Sequence, residues 1–273
     1  MLRDITLGQF FPGKSLLHII DPRVKIILSI AYIVYVFLAT SASAYILLVG
    51  FTVFLVVLSG INVKVILKGM RPLIFIIILT SLINIFFTKG ETLLLSWWII
   101  NIYAEGLINA LFMALRITSL LIGTSVLLTY TTSPIALTDA IERLLSPLRV
   151  IKLPVHEFAM MMTIALRFIP TLIEETDKIM SAQKSRGADF STGGLIKRAK
   201  ALIPVLIPLF ISAFRRADEL AVAMECRCYR GGNGRTRMTK LHLHFYDFLA
   251  VLTIAAFIAG LVLLRKFYPI YSL

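Results

Sequence analysis

Cysteine is almost missing from this sequence. The 273 residues contain two, Cys226 and Cys228, one on either side of Arg227 in a basic segment. A disulfide framework is excluded, because residues two apart close only a strained bridge, and reduced thiols are expected. Two thiols also fall short of the four ligands of a structural zinc site, and adding His242 and His244 does not make a convincing set. Acidic residues are scarce as well, 15 against 28 lysines and arginines, for a net charge of +13. Catalytic signatures are missing. There is no Gly-x-x-x-x-Gly-Lys segment, no His-Glu-x-x-His and no serine elbow. His18 and His156 stand isolated in the sequence, without the clustered acids or nucleophile of a membrane-embedded enzyme. No nucleic-acid-binding motif accompanies the positive charge, so no nucleic acid partner is expected.

Apolar residues, by contrast, make up 58% of the chain. A chain of this size cannot hide that much apolar surface in one soluble core, so an integral membrane protein in contact with the lipid bilayer is expected. Roughly 20 apolar residues cross a bilayer. Residues 24–40, 44–59, 72–88 and 106–130 approach or exceed that length, and 245–264 add a fifth run. The first follows a polar, turn-rich stretch rather than a cleavage site and reads as a retained span. The Ser41-Ala42-Ser43 connection is uncharged, whereas Lys64, Lys68 and Arg71 crowd the next; Trp97, Trp98 and Tyr103 in the third suit an interfacial aromatic belt. By the positive-inside rule the N-terminus and the long basic region 131–244 lie in the cytoplasm, in a multi-pass protein of the cell membrane. Arg116, in mid-span, reads as a bundle-facing structural arginine that pairs with neighbouring carbonyls, with Asn84 as a candidate partner.

Within the basic region, residues 134–148 form an amphipathic pattern. Ile135, Leu137, Ile141, Leu144 and Leu145 are its apolar members, and Asp139, Glu142 and Arg143 its polar ones. Helical spacing resumes over 155–186 through Pro170, with Arg167, Glu174, Glu175 and Lys178 expected in solvent. A further helix opens with the apolar run 201–214, which contains Pro204 and Pro208. That run is too short to span and is expected to lie along or dip into the interface. The two long helices end alike, in Ser185-Arg186-Gly187 and Cys226-Arg227-Cys228. Asp177 precedes Arg186 by the same interval that separates Asp218 from Arg227, with Ala182 and Ala223 in register. An arginine suits the negative end of a helix dipole, and small neighbours leave its planar guanidinium clear to enter a groove on another protein. Two such ends in register predict two similar receptors. Gly187 adopts the left-handed cap easily, whereas a cysteine at 228 does not, so the second helix is expected to run on a turn to Gly231.

Three segments carry a family resemblance that extends over essentially the whole chain. They are Ser15-Leu16-Leu17-His18 through Asp21-Pro22-Arg23-Val24-Lys25, Ala165-Leu166-Arg167-Phe168-Ile169-Pro170 leading to Ala182-Gln183-Lys184-Ser185-Arg186-Gly187, and Ala223-Met224-Glu225 through Tyr229-Arg230-Gly231-Gly232. The chain resembles the transmembrane coupling subunit, or T component, of energy-coupling factor transporters, ABC-type importers of vitamins and transition metals. In that family two short motifs, Ala-Arg-Gly or near variants, end two coupling helices and dock in grooves of two ATPase subunits. The resemblance implies that Ser185, Arg186, Gly187, Cys226, Arg227 and Cys228 are the ATPase-docking residues. It also implies that ATP and Mg are bound by the partner ATPases, that this chain binds no cofactor or metal and catalyses nothing, and that a separate membrane S component binds the substrate. Met160, Met161 and Met162, with Pro204 and Pro208, are the expected contact with that component, because flexible methionine surfaces repack against different partners. The same methionines equally suit the contact between the two helices.

The fold expected is an all-α integral membrane protein with about five transmembrane helices plus long cytoplasmic or interfacial amphipathic coupling helices. Its division is a membrane domain over 1–130 with four spans, a coupling-helix domain over 131–244, and a C-terminal span and tail over 245–273. Two other readings stay open, a conventional ABC permease that encloses the solute path itself and a membrane-embedded enzyme. The paired long helices and the scarcity of polar residues in the spans weigh against the first.

Overall fold

The computed structural model describes residues 10–13, 15–88, 90, 92–97, 100–151, 153–190, 192, 194–231 and 241–267. In chain order the helices are α1 (Leu16–Ile19), α2 (Pro22–Leu38), α3 (Ala42–Ser59), α4 (Val63–Met70), α5 (Ile74–Phe87), α6 (Ala104–Thr124), α7 (Pro134–Leu144), α8 (Val155–Ser185), α9 (Leu195–Cys226) and α10 (Phe245–Phe267), and a hairpin of β1 (Leu93–Trp97) and β2 (Ile100–Tyr103) stands between α5 and α6. The described residues form two compact units, one of 138–231 and one of 10–137 with 241–267.

The second unit is built on α2, α3, α6 and α10. Pro22 opens α2 in its first turn, where the missing N–H has no helical partner to lose, and the Asp21 carboxylate caps it by accepting the Arg23 N–H at 2.9 Å. Asp247, in the first turn of α10, accepts the Asp21 N–H at 2.7 Å and the His244 N–H at 2.6 Å, so one buried carboxylate closes the starts of two helices. Lys25 is buried too. Its ammonium donates to the Thr131 carbonyl at 2.9 Å and the Thr132 hydroxyl at 3.2 Å, just past a π-helical turn over Ser125–Thr129 that continues α6.

Tyr32, Tyr35, Val36, Leu48 and Phe51 form the centre of this unit, none more than 1% exposed. The Tyr32 hydroxyl donates to the Ser119 carbonyl on α6 at 2.8 Å and shares a hydrogen bond with Thr52 on α3 at 2.8 Å, so a tyrosine deep in an apolar unit is fully partnered. Its ring lies where a Cβ on Gly123 would be. Gly123→Val is therefore expected to cost about 1–3 kcal/mol by overpacking, read as a lower unfolding temperature of the purified protein in detergent. An unchanged temperature would mean that Tyr32 moves aside freely.

Five helical stretches are long and apolar enough to cross a membrane: Ala42–Ser59, Val63–Phe87, Ala104–Thr129, Val155–Ser185 and Phe245–Leu264. The set differs from the expected one by a single exchange. The first apolar run forms α2, whose 17 residues extend only about 26 Å, while α8 qualifies because Glu157 and Arg167 are the only Asp, Glu, Lys or Arg residues between Val155 and Leu172. The hairpin was not expected. Leu93 pairs with Tyr103 and Trp97 with Ile100 in an antiparallel ladder with one bulge, and Glu105, at the start of α6, accepts the Thr92 N–H at 3.1 Å and its hydroxyl at 2.9 Å. Trp98 of the expected aromatic belt lies outside the described residues.

Arg116 pairs with a carbonyl as expected, that of Ala39 at 2.9 Å, and its guanidinium carbon sits 5.6 Å from the Tyr45 ring centre. Asn84 is not its partner: the amide donates to the Thr80 carbonyl one turn back in α5, at 2.9 Å.

Candidate functional site

The other unit carries the two arginine motifs on α8 and α9. Neither helix breaks at its prolines: α8 runs through Pro170, and α9 runs through Pro204 and Pro208 as one helix of 32 residues. The apolar run 201–214 is thus the middle of α9, not a separate interfacial piece. Each proline still withdraws one N–H, leaving the carbonyls of Leu166, Lys200 and Pro204 without their usual helical donors.

The two helix ends have the same backbone. At the first, the Gly187 N–H donates to the Lys184 carbonyl at 2.9 Å and the Ala188 N–H to the Gln183 carbonyl at 3.0 Å; at the second, the Cys228 N–H donates to the Glu225 carbonyl at 2.8 Å and the Tyr229 N–H to the Met224 carbonyl at 3.0 Å. Both patterns are the 5→2 and 6→1 bonds of a Schellman turn, which satisfies carbonyls that the helix leaves unpaired. Arg186 and Arg227 are the C-cap residues of their helices, with φ/ψ of −88°/8° and −90°/13°. The expectation that α9 runs on to Gly231 is overturned. Cys228 takes the left-handed conformation itself, at φ 56°, in the place that Gly187 occupies at φ 86°. Closing the turn outweighs a penalty of roughly 1–2 kcal/mol for a side chain in that region, and Tyr229 stands where such turns commonly take a hydrophobic contact.

Cys228→Gly is accordingly expected to tighten the second end by about 1 kcal/mol, read as roughly fivefold slower hydrogen exchange at the amides of residues 228 and 229. Faster exchange would mean that the thiol side chain holds the turn. Ser185, Arg186, Gly187, Cys226, Arg227 and Cys228 are all exposed, and both thiols are free.

Among the described residues two polar links join α8 to α9. Arg216 donates to Glu175 across 2.7 Å, and the Gln183 side-chain amide donates to the Pro204 carbonyl at 3.4 Å. Glu175 is therefore ion-paired rather than free in solvent. The partner number on α9 falls while the number on α8 rises, so the helices run in opposite senses and their arginine ends lie on opposite sides of the contact. Met161 and Met162 are exposed beside Phe158, whereas Met160 is half-buried; Pro204 and Pro208 are exposed among Ile203, Ile207 and Ile211. His156 is not isolated, since its Nδ1 lies 2.9 Å from Oε1 of the buried Glu142, which had been assigned to the polar face of the 134–148 pattern. Among the described residues no three His, Cys, Asp or Glu side chains converge as metal ligands.

Fold and site together define a class: a multi-pass helical membrane protein whose exposed working features are two like-capped arginine helix ends on crossing helices. The family model CbiQ, described as cobalt transport protein, matches residues 13–239. The chain is 58% identical over 265 residues to the energy-coupling factor transporter transmembrane protein EcfT of Ruminiclostridium cellulolyticum, covering 97% of this chain and 98% of that one. It is 56% identical over 253 residues to the EcfT of Clostridium kluyveri, covering 92% and 93%, and 46% identical over 265 residues to EcfT 1 of Listeria monocytogenes, covering 97% and 99%. The chain belongs to the family of energy-coupling factor transporter transmembrane proteins, and as such is a non-catalytic component of a transporter complex with other subunits.

Proposed function

We propose that Arg186 and Arg227 each enter a groove on one of two ABC ATPase subunits, which bind ATP and Mg. The chain then carries the closing motion of those subunits through α8 and α9 to a separate substrate-binding membrane subunit. The observation that carries this reading is the pair of helix ends with one hydrogen-bond pattern, both exposed and on opposite sides of the α8–α9 contact. Two plugs of like backbone, on opposite sides of the contact, call for two similar sockets. The flanking Ser185, Gly187, Cys226 and Cys228 are small enough to let the guanidinium reach a carboxylate or backbone carbonyls with its full fork.

The exposed Met161 and Met162 on α8, with the half-buried Met160 behind them, and the surface around Pro204 and Pro208 on α9 are the contact offered to the substrate-binding subunit. That subunit chooses the cargo, a vitamin or a transition-metal ion. The uncharged Ser41–Ser43 connection against Lys64, Lys68 and Arg71 supports placing the N-terminus and the coupling helices in the cytoplasm of a cell-membrane protein. Purification of the intact chain from its native membranes, with mass-spectrometric identification of bound proteins, tests the reading. ABC ATPases and a further membrane protein are expected, and a folded chain that brings down no ATPase overturns it.

A further inference from the structure

We infer that the Glu175–Arg216 ion pair is the pivot on which α8 and α9 turn, and that these two residues position both docking arginines at once. The inference rests on the docking reading for its purpose, though its geometry belongs to the chain alone. The ends of the two helices repeat a pattern: Asp177 and Asp218, Ala182 and Ala223, and Arg186 and Arg227 each stand the same interval apart. Glu175 and Arg216 are separated by that interval too, 41 positions. When two like helices cross in opposite senses, equivalent positions meet only on the local two-fold axis. The ion pair joins such a pair of equivalent positions, at equal chain distance from the two arginine ends. Arg186 lies 11 residues beyond Glu175, and Arg227 lies 11 beyond Arg216. The two arms are equal, about 16 Å of helix each.

Three features make this contact a hinge pin rather than a weld. A true repeat would place like charges against each other on the axis, whereas this one places a carboxylate against a guanidinium at 2.7 Å, with side chains 21% and 34% exposed. An open crevice of about 530 Å³ beside the pair, lined by Phe168, Ser212, Arg215, Arg216, Glu219 and Leu220, leaves one flank of the crossing unpacked. The other polar link is long, and it uses the Pro204 carbonyl that Pro208 has freed from the helix ladder, so Gln183 slips from it without breaking α9. A change of about 20° in crossing angle, shared by the two helices, moves each arginine by about 3 Å on its ~16 Å arm. Both ends move together, which matches a pair of ATPases closing on each other.

The test attaches spin labels through non-natural amino acids at the exposed, equivalent positions 184 and 225, so that Cys226 and Cys228 stay in place, and measures the label distance in the purified full chain. Glu175→Arg and Arg216→Glu should each shift or broaden the distribution by about 3 Å, on the same arm-and-angle geometry. The exchanged pair, Glu175→Arg with Arg216→Glu, should restore it. Single variants that keep the intact distribution overturn the pivot, as does an exchanged pair that fails to recover it. Repeating the measurement with bound ATPases and ATP separates the two ideas. Each single variant should retain the ATPases but lose the ATP-dependent change in distance; retention of that change overturns the pivot, and an intact chain that binds no ATPase overturns the docking reading alone.

Discussion

Reversing both arginines, Arg186→Glu with Arg227→Glu, is expected to strip ATPase subunits from the purified complex while leaving the chain folded in its membrane. Both side chains are exposed, and neither has a hydrogen-bond or ion-pair partner among the described residues, so the fold loses little when they change. A socket that has given up water to receive a guanidinium loses much more. Truncating either arginine to alanine should weaken association by about 2–5 kcal/mol, because the buried partner group is left unpaired, which corresponds to between roughly 30-fold and several thousand-fold in affinity. Lysine should fall between, since it keeps the charge without the planar fork. Titration of the ATPase pair onto the chain in nanodiscs reads each variant. Equal affinity of the doubly reversed and intact chains would remove both arginines from the docking surface.

The largest effect on the chain itself is expected at Asp247. Its carboxylate is 3% exposed and holds the N–H groups of Asp21 and His244, in a cluster that also contains the Asp21–Arg23 pair at 2.7 Å and the buried Lys25. Asp247→Ala leaves two helix-starting amides without acceptors and removes an anion from beside the buried Lys25 and the half-buried Arg23. About 2–4 kcal/mol of destabilisation is expected from leaving the two donors unpaired, with Asp247→Asn intermediate because it keeps an acceptor but not the charge. Thermal unfolding in detergent checks both. A variant that unfolds with the intact protein would show that the starts of α2 and α10 stay together without the carboxylate.

Much of the protein could be read before folding was considered. Apolar content made the membrane assignment, and 3.6-residue spacing located α8 and α9, because both are one-dimensional properties of the chain. The helix end at Arg186 was legible from Gly187. The end at Arg227 is not legible in the same way, because the local cost of a cysteine in the left-handed region is outweighed by the carbonyls that a Schellman turn satisfies. The hairpin is not legible, because Trp97 and Tyr103 suit an interfacial aromatic belt equally well and carry no signal of strand pairing.

Tertiary structure alone decided which distant groups meet. His156 looked isolated and Glu142 solvated until α7 and α8 brought them within 2.9 Å. Asn84 looked like a partner for Arg116, but rotation of the helices gave Arg116 the Ala39 carbonyl instead. Glu175 and Arg216 sit at equivalent places in a repeat that is visible in the sequence, yet nothing in that repeat says that these positions touch. Periodicity determines which side chains share a helix face. The crossing point and rotation that select partners come from packing between helices, and no local stretch of sequence contains them.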